Sequence, residues 1–142
     1  MQLARMLLSR NATVTVFTTP ANHPYISTSL SDTPTTIISI LFPEISGVPF
    51  GVESIDKLPS MSLFLPFVTS TKLMKSDFEQ AVQSIKKPVT FMVTDGFFGW
   101  TVESAKKLKI PRLVYYGMSN FAVTMSRVIF LEQTHFQGMF WQ

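Results

Sequence analysis

Three short segments of the sequence place polar residues directly after an apolar stretch: residues 18–23, 94–98 and 117–120. If the apolar stretches are parallel strands, these segments meet at the carboxyl edge of a sheet, where open α/β proteins bind their ligands. Asp95 is the acidic residue among them, and a carboxylate at such a point can take part in proton transfer. By itself it is weak support for a site, because aspartates after strands are more often turn or capping residues.

The pattern along the chain predicts the elements that position these segments. β-branched and apolar runs predict strands at residues 13–17, 35–41, 89–93 and 113–116. Apolar residues at helical intervals predict helices at residues 2–9, 21–30, 64–85 and 99–108, and Ser119 is expected to cap a further helix running to about residue 132. Residues 43–59 contain three prolines and two glycines and are expected to form a loop. Alternation of strand and helix predicts an α/β fold with a parallel, Rossmann-like sheet covered by helices on both faces.

The composition excludes several classes of function. The 142 residues include no cysteine, so disulfides and thiolate metal sites are excluded, and a cytoplasmic location is expected. A net charge of +3 with dispersed lysines argues against nucleic-acid binding. No apolar window predicts a membrane span, and no Gly-x-Gly-x-x-Gly or P-loop pattern predicts a bound nucleotide, so no cofactor and no metal are expected.

Four blocks resemble successive motifs of plant UDP-dependent glycosyltransferases of secondary metabolism. They are Thr-Val-Phe-Thr-Thr-Pro-Ala-Asn (15–22), Phe-Pro-Glu-Ile-Ser-Gly-Val-Pro (42–49), Val-Thr-Asp-Gly-Phe-Phe-Gly-Trp (93–100) and Ile-Pro-Arg-Leu-Val-Tyr-Tyr-Gly-Met-Ser (110–119). The resemblance implies the N-terminal, acceptor-binding domain of a two-domain GT-B fold. Such enzymes transfer a sugar, glucose in most members, from a UDP-sugar to a hydroxyl group of a flavonoid or other small metabolite, with inversion.

The resemblance also implies roles for individual residues. Asp95 matches the aspartate that holds the catalytic histidine of the family, while Phe97, Phe98, Trp100 and Ser119 match positions that line the acceptor pocket. For the aromatic residues, packing of a helix against the sheet is the alternative, and for Ser119 it is helix capping. The family histidine has no counterpart in this sequence, and His23 is best interpreted as a surface-loop residue rather than a substitute.

The matched blocks also set the expected domain organisation. Residues 1–133 are expected to form a partial acceptor-binding domain and residues 134–142, including His135, a divergent tail, with the sugar-donor domain absent. UDP-sugar is therefore expected to bind only with that missing domain, and the chain alone to be inactive. The alternative is a non-catalytic module that binds small molecules or another protein.

The resemblance further implies that the first, central strand of the family sheet is missing. The strands at 13–17 and 89–93 would then lose their shared neighbour, because a 3-2-1-4-5 order places it between them. We expect either a marginally stable domain or a sheet in which these two strands close up and pair directly.

Overall fold

A computed structural model describes residues 1–117, 119, 121, 123–125 and 128. In this part of the chain short helices alternate with short strands, which confirms the α/β class. The elements in chain order are α1 (Gln2–Leu8), β1 (Thr15–Thr18), α2 (His23–Ser29), β2 (Thr36–Ser39), α3 (Phe64–Ser70), α4 (Lys75–Gln83), β3 (Met92–Asp95), α5 (Thr101–Leu108) and β4 (Arg112–Tyr115). Short 3₁₀ turns occupy Ile55–Lys57, Met61–Leu63 and Thr71–Met74.

The four strands form two parallel pairs instead of one continuous sheet. β1 pairs with β2, with Phe17 opposite Ile38, and β3 pairs with β4, with Thr94 opposite Val114. Within the described residues, β1 and β3 belong to separate two-stranded sheets. The predicted closing-up of these two strands is therefore not observed, and an interruption remains between them.

The third strand begins later than the sequence pattern indicates. Residues 89–93 are the most β-branched part of this segment, but the ladder starts when the Met92 N–H donates to the Pro111 carbonyl at 2.9 Å. The neighbouring strand begins only after Pro111, which has no N–H to donate. Pairing thus extends from Met92, opposite Arg112, to Asp95, opposite Tyr115, because the partner strand β4 begins only at Arg112.

The long helix predicted at residues 64–85 is broken into α3 and α4 by a 3₁₀ turn. The hydroxyl of Thr69 donates to the Leu65 carbonyl at 2.8 Å, and that of Thr71 donates to the Val68 carbonyl at 2.6 Å. Such side-chain bonds to the preceding turn compete with regular helix geometry, and 3₁₀ turns are common at such points. The apolar face nevertheless continues across the break, as the sequence predicts.

Helix α4 is the common support of the two sheets. The buried core consists of Ile40 from the end of the first sheet, Phe78 and Val82 from α4, Met92 from β3 and Ala105 from α5. Partly buried residues complete it: Phe17, Met74, Val89, Trp100, Leu108 and Ile110. The core therefore joins the sheets through side chains, although no backbone ladder among residues 1–117 connects them.

Hydrogen bonds to a buried carboxylate connect α4 to α5. Glu79 is buried, with 5% of its surface exposed, and accepts hydrogen bonds from the Ser104 hydroxyl at 2.8 Å and from the Lys107 ammonium group. These two hydrogen bonds, that of Lys107 first, lower the pKa of the Glu79 carboxyl below its usual value. A buried carboxylate is tolerated here because both of its oxygens have donors.

Helix α5 ends in a left-handed residue. Lys109 has φ 56° and ψ 38°, and the Ile110 N–H returns to the Ala105 carbonyl at 3.0 Å. This geometry is a common helix stop, normally made by glycine because other residues have a Cβ that is crowded in this conformation. The reversal brings Ile110 back against the core.

The predicted helix after Ser119 falls only partly within the described residues. Phe121, Val123, Thr124, Met125 and Val128 are helical. The rest of that helix, the domain boundary at residue 133 and the tail with His135 lie outside the described residues.

Candidate functional site

Asp95 lies where the sequence places it, at the carboxyl end of a parallel strand. Its Oδ1 accepts a hydrogen bond from the Phe97 N–H at 2.8 Å, and its carbonyl accepts one from the Phe98 N–H at 3.2 Å. The first of these is the side-chain turn that aspartates commonly form after strands. The turn fixes the carboxylate at the strand end and directs residues 97 and 98 into the adjoining loop.

Gly96 is enclosed by an aromatic ring from the neighbouring strand end. A Cβ built on Gly96 would lie 2.0 Å from Cε1 of Tyr116 and 2.7 Å from Cζ. The backbone after Asp95 can therefore approach Tyr116 only because residue 96 has no side chain. The sequence signal for this contact is the glycine that directly follows Asp95 in the block at residues 93–100.

The aromatic residues predicted for the acceptor pocket have two kinds of environment. Phe97 and Phe98 are each 37% exposed, and Phe97 forms an edge contact with Phe64 at a centroid distance of 5.5 Å. Phe64 begins α3 and was assigned from the sequence only to the apolar face of a helix. A small apolar surface is thus available beside Asp95.

Trp100 packs into the core. Its ring contacts Phe78 at a centroid distance of 5.5 Å, and its Nε1 donates to the hydroxyl of Thr71 at 3.1 Å. Thr71 is 1% exposed, so this hydrogen bond is shielded from water. These contacts are those of a packing residue, while a role for Trp100 in the acceptor pocket stays a prediction.

The loop after β1 is tied to the segment that follows β2. The Ala21 N–H donates to Glu53 Oε2 at 2.7 Å, and the Asn22 side chain donates to the Glu53 carbonyl at 3.1 Å. His23 begins α2, with Nδ1 3.3 Å from the Ser27 hydroxyl oxygen. Its ring is thus engaged within its own helix, and because His23 is half-buried at the start of α2, the interpretation of it as a surface-loop residue is wrong.

A groove of about 500 Å³ lies in the loop that follows β2. Apolar side chains form much of its wall, and Glu44 and Glu53 add two carboxylates. The lining includes Phe42, Ile45, Val48, Phe50 and Val52. The sequence predicts a loop here and includes residues 42–49 among the family-like blocks, but without periodicity it gives no basis for predicting a concave surface.

Ser119 is exposed, and its carbonyl accepts a hydrogen bond from the Val123 N–H at 3.0 Å. A carbonyl that accepts the first bond of a helical segment is typical of a capping position. The capping prediction therefore agrees with this geometry. Its predicted place in the acceptor pocket stays a prediction.

The described part of the chain has neither a cluster of metal-binding side chains nor a membrane-spanning helix. No group of three or more histidine, cysteine, aspartate or glutamate residues is arranged there to hold a metal ion. In the same residues, no helix has the length and apolar character that crossing a bilayer requires.

Comparison with known sequences relates the chain to plant enzymes. It is 51% identical over 140 residues to UDP-glycosyltransferase 90A1 of Arabidopsis thaliana, covering 94% of this chain and 29% of that protein. It is 31% identical to UDP-glucose flavonoid 3-O-glucosyltransferase 7 of Fragaria ananassa, covering 94% of this chain and 27% of that protein. The chain thus spans less than a third of the curated relatives it matches. No protein-family model matches it.

Solved structures that resemble this chain are also of plant enzymes. Glycyrrhiza uralensis UGT73P12, complexed with glycyrrhetinic acid 3-O-monoglucuronide, matches with a TM-score of 0.68 and 31% identity over 84% of this chain and 25% of that one. Arabidopsis thaliana UGT89C1, complexed with quercetin, matches with a TM-score of 0.76 and 21% identity over 87% of this chain and 32% of that one. The second match supports the fold alone.

Proposed function

The chain is related to the plant UDP-glycosyltransferases and matches a part of their length, and we propose that it is the acceptor-binding part of such an enzyme. The observation that carries this proposal is the position of Asp95 at the end of the parallel strand β3. The exposed Phe97 and Phe98 lie in the loop that directly follows it. A carboxylate beside a small aromatic surface suits an apolar acceptor with a hydroxyl group, because the rings bind its body and the carboxylate serves the reacting end.

In the proposed reaction Asp95 is a positioning residue. Its carboxylate accepts a hydrogen bond from the N–H of the family's catalytic histidine, which these 142 residues do not contain. It also stabilises the positive charge that develops when that imidazole takes the proton of the acceptor hydroxyl group. The Phe97 N–H bond to Oδ1 supports this role, since it fixes the direction of the carboxylate before an acceptor binds. Among the described residues, His23 bonds within α2, so we do not assign it as the base.

For the 142 residues alone, the proposed activity is acceptor binding without sugar transfer. Fewer than a third of the residues of the relatives are present, and the sequence offers no nucleotide-binding motif for the UDP-sugar. The proposed acceptors are small hydroxylated apolar compounds of the flavonoid type, and the proposed location is the cytoplasm.

The proposal is tested with the purified chain. Quercetin, which is bound in one related structure, is titrated into the protein while intrinsic fluorescence is followed, and product formation with UDP-glucose is measured by chromatography. We expect saturable binding that weakens in a Phe97→Ala, Phe98→Ala double variant, and no glucoside. Asp77→Asn, at an exposed position on α4, is the matched control and should bind as the parent does.

Two results would contradict this proposal. A folded chain that binds none of a panel of phenolic compounds would exclude acceptor binding. Glucoside formation that disappears in Asp95→Asn but persists in Asp77→Asn would show that the chain catalyses transfer by itself.

A further inference from the structure

We propose that Thr101 and Arg112 are positioning residues for acceptor binding: together they hold the loop at residues 96–100 so that its exposed aromatic rings stay beside Asp95. The identity of the bound compound rests on the proposed function above, whereas the hydrogen-bond network that holds the loop does not. A single buried hydroxyl group connects this loop to the neighbouring strand β4, and neither of the two residues touches the exposed rings by a bond of its own.

The Thr101 side chain is buried where the loop after β3 meets α5. Thr101 is the first residue of α5, and only 2% of its surface is exposed. Its hydroxyl donates to the Phe98 carbonyl, and its N–H donates to the same carbonyl at 3.0 Å. Because a carbonyl oxygen accepts two hydrogen bonds, one residue fills both acceptor positions of Phe98 and fixes the direction of that peptide group.

Arg112 determines where the Thr101 hydroxyl proton points. The Arg112 Nε–H donates to the Thr101 hydroxyl oxygen at 2.8 Å. Since a guanidinium group only donates and a hydroxyl group has one proton, the Thr101 proton remains available for another acceptor. The Phe98 carbonyl is closer to it than the Thr94 hydroxyl oxygen, which lies at 3.3 Å. A charged donor also polarises the hydroxyl and strengthens the bond that the hydroxyl donates.

The network connects the two ends of this sheet. Arg112 begins β4 opposite Met92, the first residue of β3, whereas Thr101 follows the far end of β3. The Arg112 side chain therefore extends along the strands towards the edge where Asp95 lies. The loop is thus held by a strand side chain in addition to the backbone ladder, which ends with β3.

This loop carries both phenylalanines of the proposed acceptor surface. The Phe97 N–H donates to Asp95 Oδ1 at 2.8 Å and the Phe98 N–H to the Asp95 carbonyl at 3.2 Å, so the loop is fixed at its beginning by Asp95 and at its end by Thr101. A surface that is ordered before binding loses less conformational freedom when a ligand binds. Removing the Thr101 hydroxyl should therefore weaken acceptor binding, although Thr101 is too deeply buried to contact the ligand.

Two substitutions of Thr101 test this role. Thr101→Val keeps the shape of the side chain and removes its hydroxyl, whereas Thr101→Ser keeps the hydroxyl. Quercetin binding is measured by calorimetry, because Trp100 lies next to the substituted residue and contributes to the fluorescence. We expect Thr101→Val to weaken binding about three- to tenfold, as the loss of one buried hydrogen bond implies, and Thr101→Ser to bind within about twofold of the parent.

Ser104→Ala separates positioning from stability. Ser104 lies in the same helix, is fully buried and donates to Glu79 at 2.8 Å, so its substitution removes a buried hydrogen bond away from the loop. We expect this variant to be less stable than the parent but to keep its affinity for quercetin. Arg112→Met removes the charged donor and should weaken binding as Thr101→Val does. It provides the measurement if Thr101→Val does not fold.

Amide exchange without ligand distinguishes this proposal from the proposed function. In Thr101→Val, the Phe97 and Phe98 amides should exchange at least about threefold faster than in the parent, and in Ser104→Ala they should not. Equal exchange in the parent and Thr101→Val, or equal quercetin affinity, would overturn the proposal. A parent that binds no phenolic compound contradicts the proposed function instead, and faster exchange confined to Thr101→Val would then still support the hold on the loop.

Discussion

The Tyr116 ring occupies the space that a side chain on Gly96 would need, with Cε1 2.0 Å from the position of an added Cβ. Gly96 directly follows Asp95, so this contact joins the turn that carries the carboxylate to the end of the neighbouring strand. The position of Asp95 thus depends on a residue that has no functional group of its own.

Replacing Gly96 with alanine is expected to destabilise the fold. Because the added Cβ would overlap Tyr116, either the ring or the turn must move, at a cost of about 1–3 kcal/mol in the free energy of unfolding. Urea denaturation measures the change. Gly99→Ala is the control, since a Cβ there meets nothing within 4 Å, and it should alter stability by about 0.5 kcal/mol or less. Equal effects of the two variants would contradict this contact.

The Glu79 carboxyl is expected to make stability depend on pH. Its pKa is lowered in the folded chain, so its contribution is complete above the pKa of the unfolded state and is lost as pH falls through the folded pKa. Glu79→Gln should therefore be less stable than the parent at pH 7, by about 1 kcal/mol because Lys107 is 64% exposed and partly screened. The difference should shrink as pH falls below the ordinary glutamate pKa of 4.5.

Urea denaturation of both proteins between pH 7 and pH 3 measures this difference. Glu103→Gln is the matched control, because Glu103 pairs with Lys75 but is 58% exposed, and its effect should be smaller. A Glu79→Gln difference that stays constant over the whole pH range would show that the buried hydrogen bonds do not favour the ionised carboxylate.

Lys109→Gly is expected to stabilise the chain. Glycine adopts the left-handed conformation of this position without the crowding of a Cβ, and the gain should be about 1 kcal/mol. Thermal unfolding followed by circular dichroism measures it. Lys106→Gly, inside the same helix, should instead lose about 1 kcal/mol. A loss at both positions would mean that residue 109 is not left-handed in solution.

Hydrogen exchange is expected to alternate along β1 and β3. The amides of Val16 and Thr94 face their partner strands, while those of Thr15, Phe17 and Val93 face the interruption and should exchange faster by at least about tenfold. Amide exchange followed by NMR resolves these residues. Strong, uniform protection of all five in a monomer would show that the interruption is closed in solution.

Most of the fold could be predicted from the sequence because local patterns agree with it. The β-branched runs gave β1 and β2 within two residues, and the apolar face at Phe67, Phe78 and Val82 identified the helical region. What could not be predicted depends on distant partners. The start of β3 is determined by Pro111 in another strand, and the break before α4 by hydroxyl bonds whose geometry residue spacing does not show.

The candidate site was less predictable than the fold. The position of Asp95 at a strand end follows from the strand pattern, but the contact of Gly96 with Tyr116 joins two strands that no periodicity connects. The hydrogen bond from the Ala21 N–H to Glu53 likewise joins two loops that are far apart in the sequence. Sequence spacing can place polar residues at one edge of a sheet but cannot say which of them touch.

Phe78 has a consequence for how this domain loses its structure. In a continuous sheet the backbone hydrogen bonds couple all the strands, whereas here the two sheets are coupled by a small cluster of core side chains, in which the Phe78 ring touches both Phe17 and Trp100. Cooperativity thus depends on a few side chains. A substitution such as Phe78→Ala should therefore do more than lower the melting temperature: it should split a single melting transition into two.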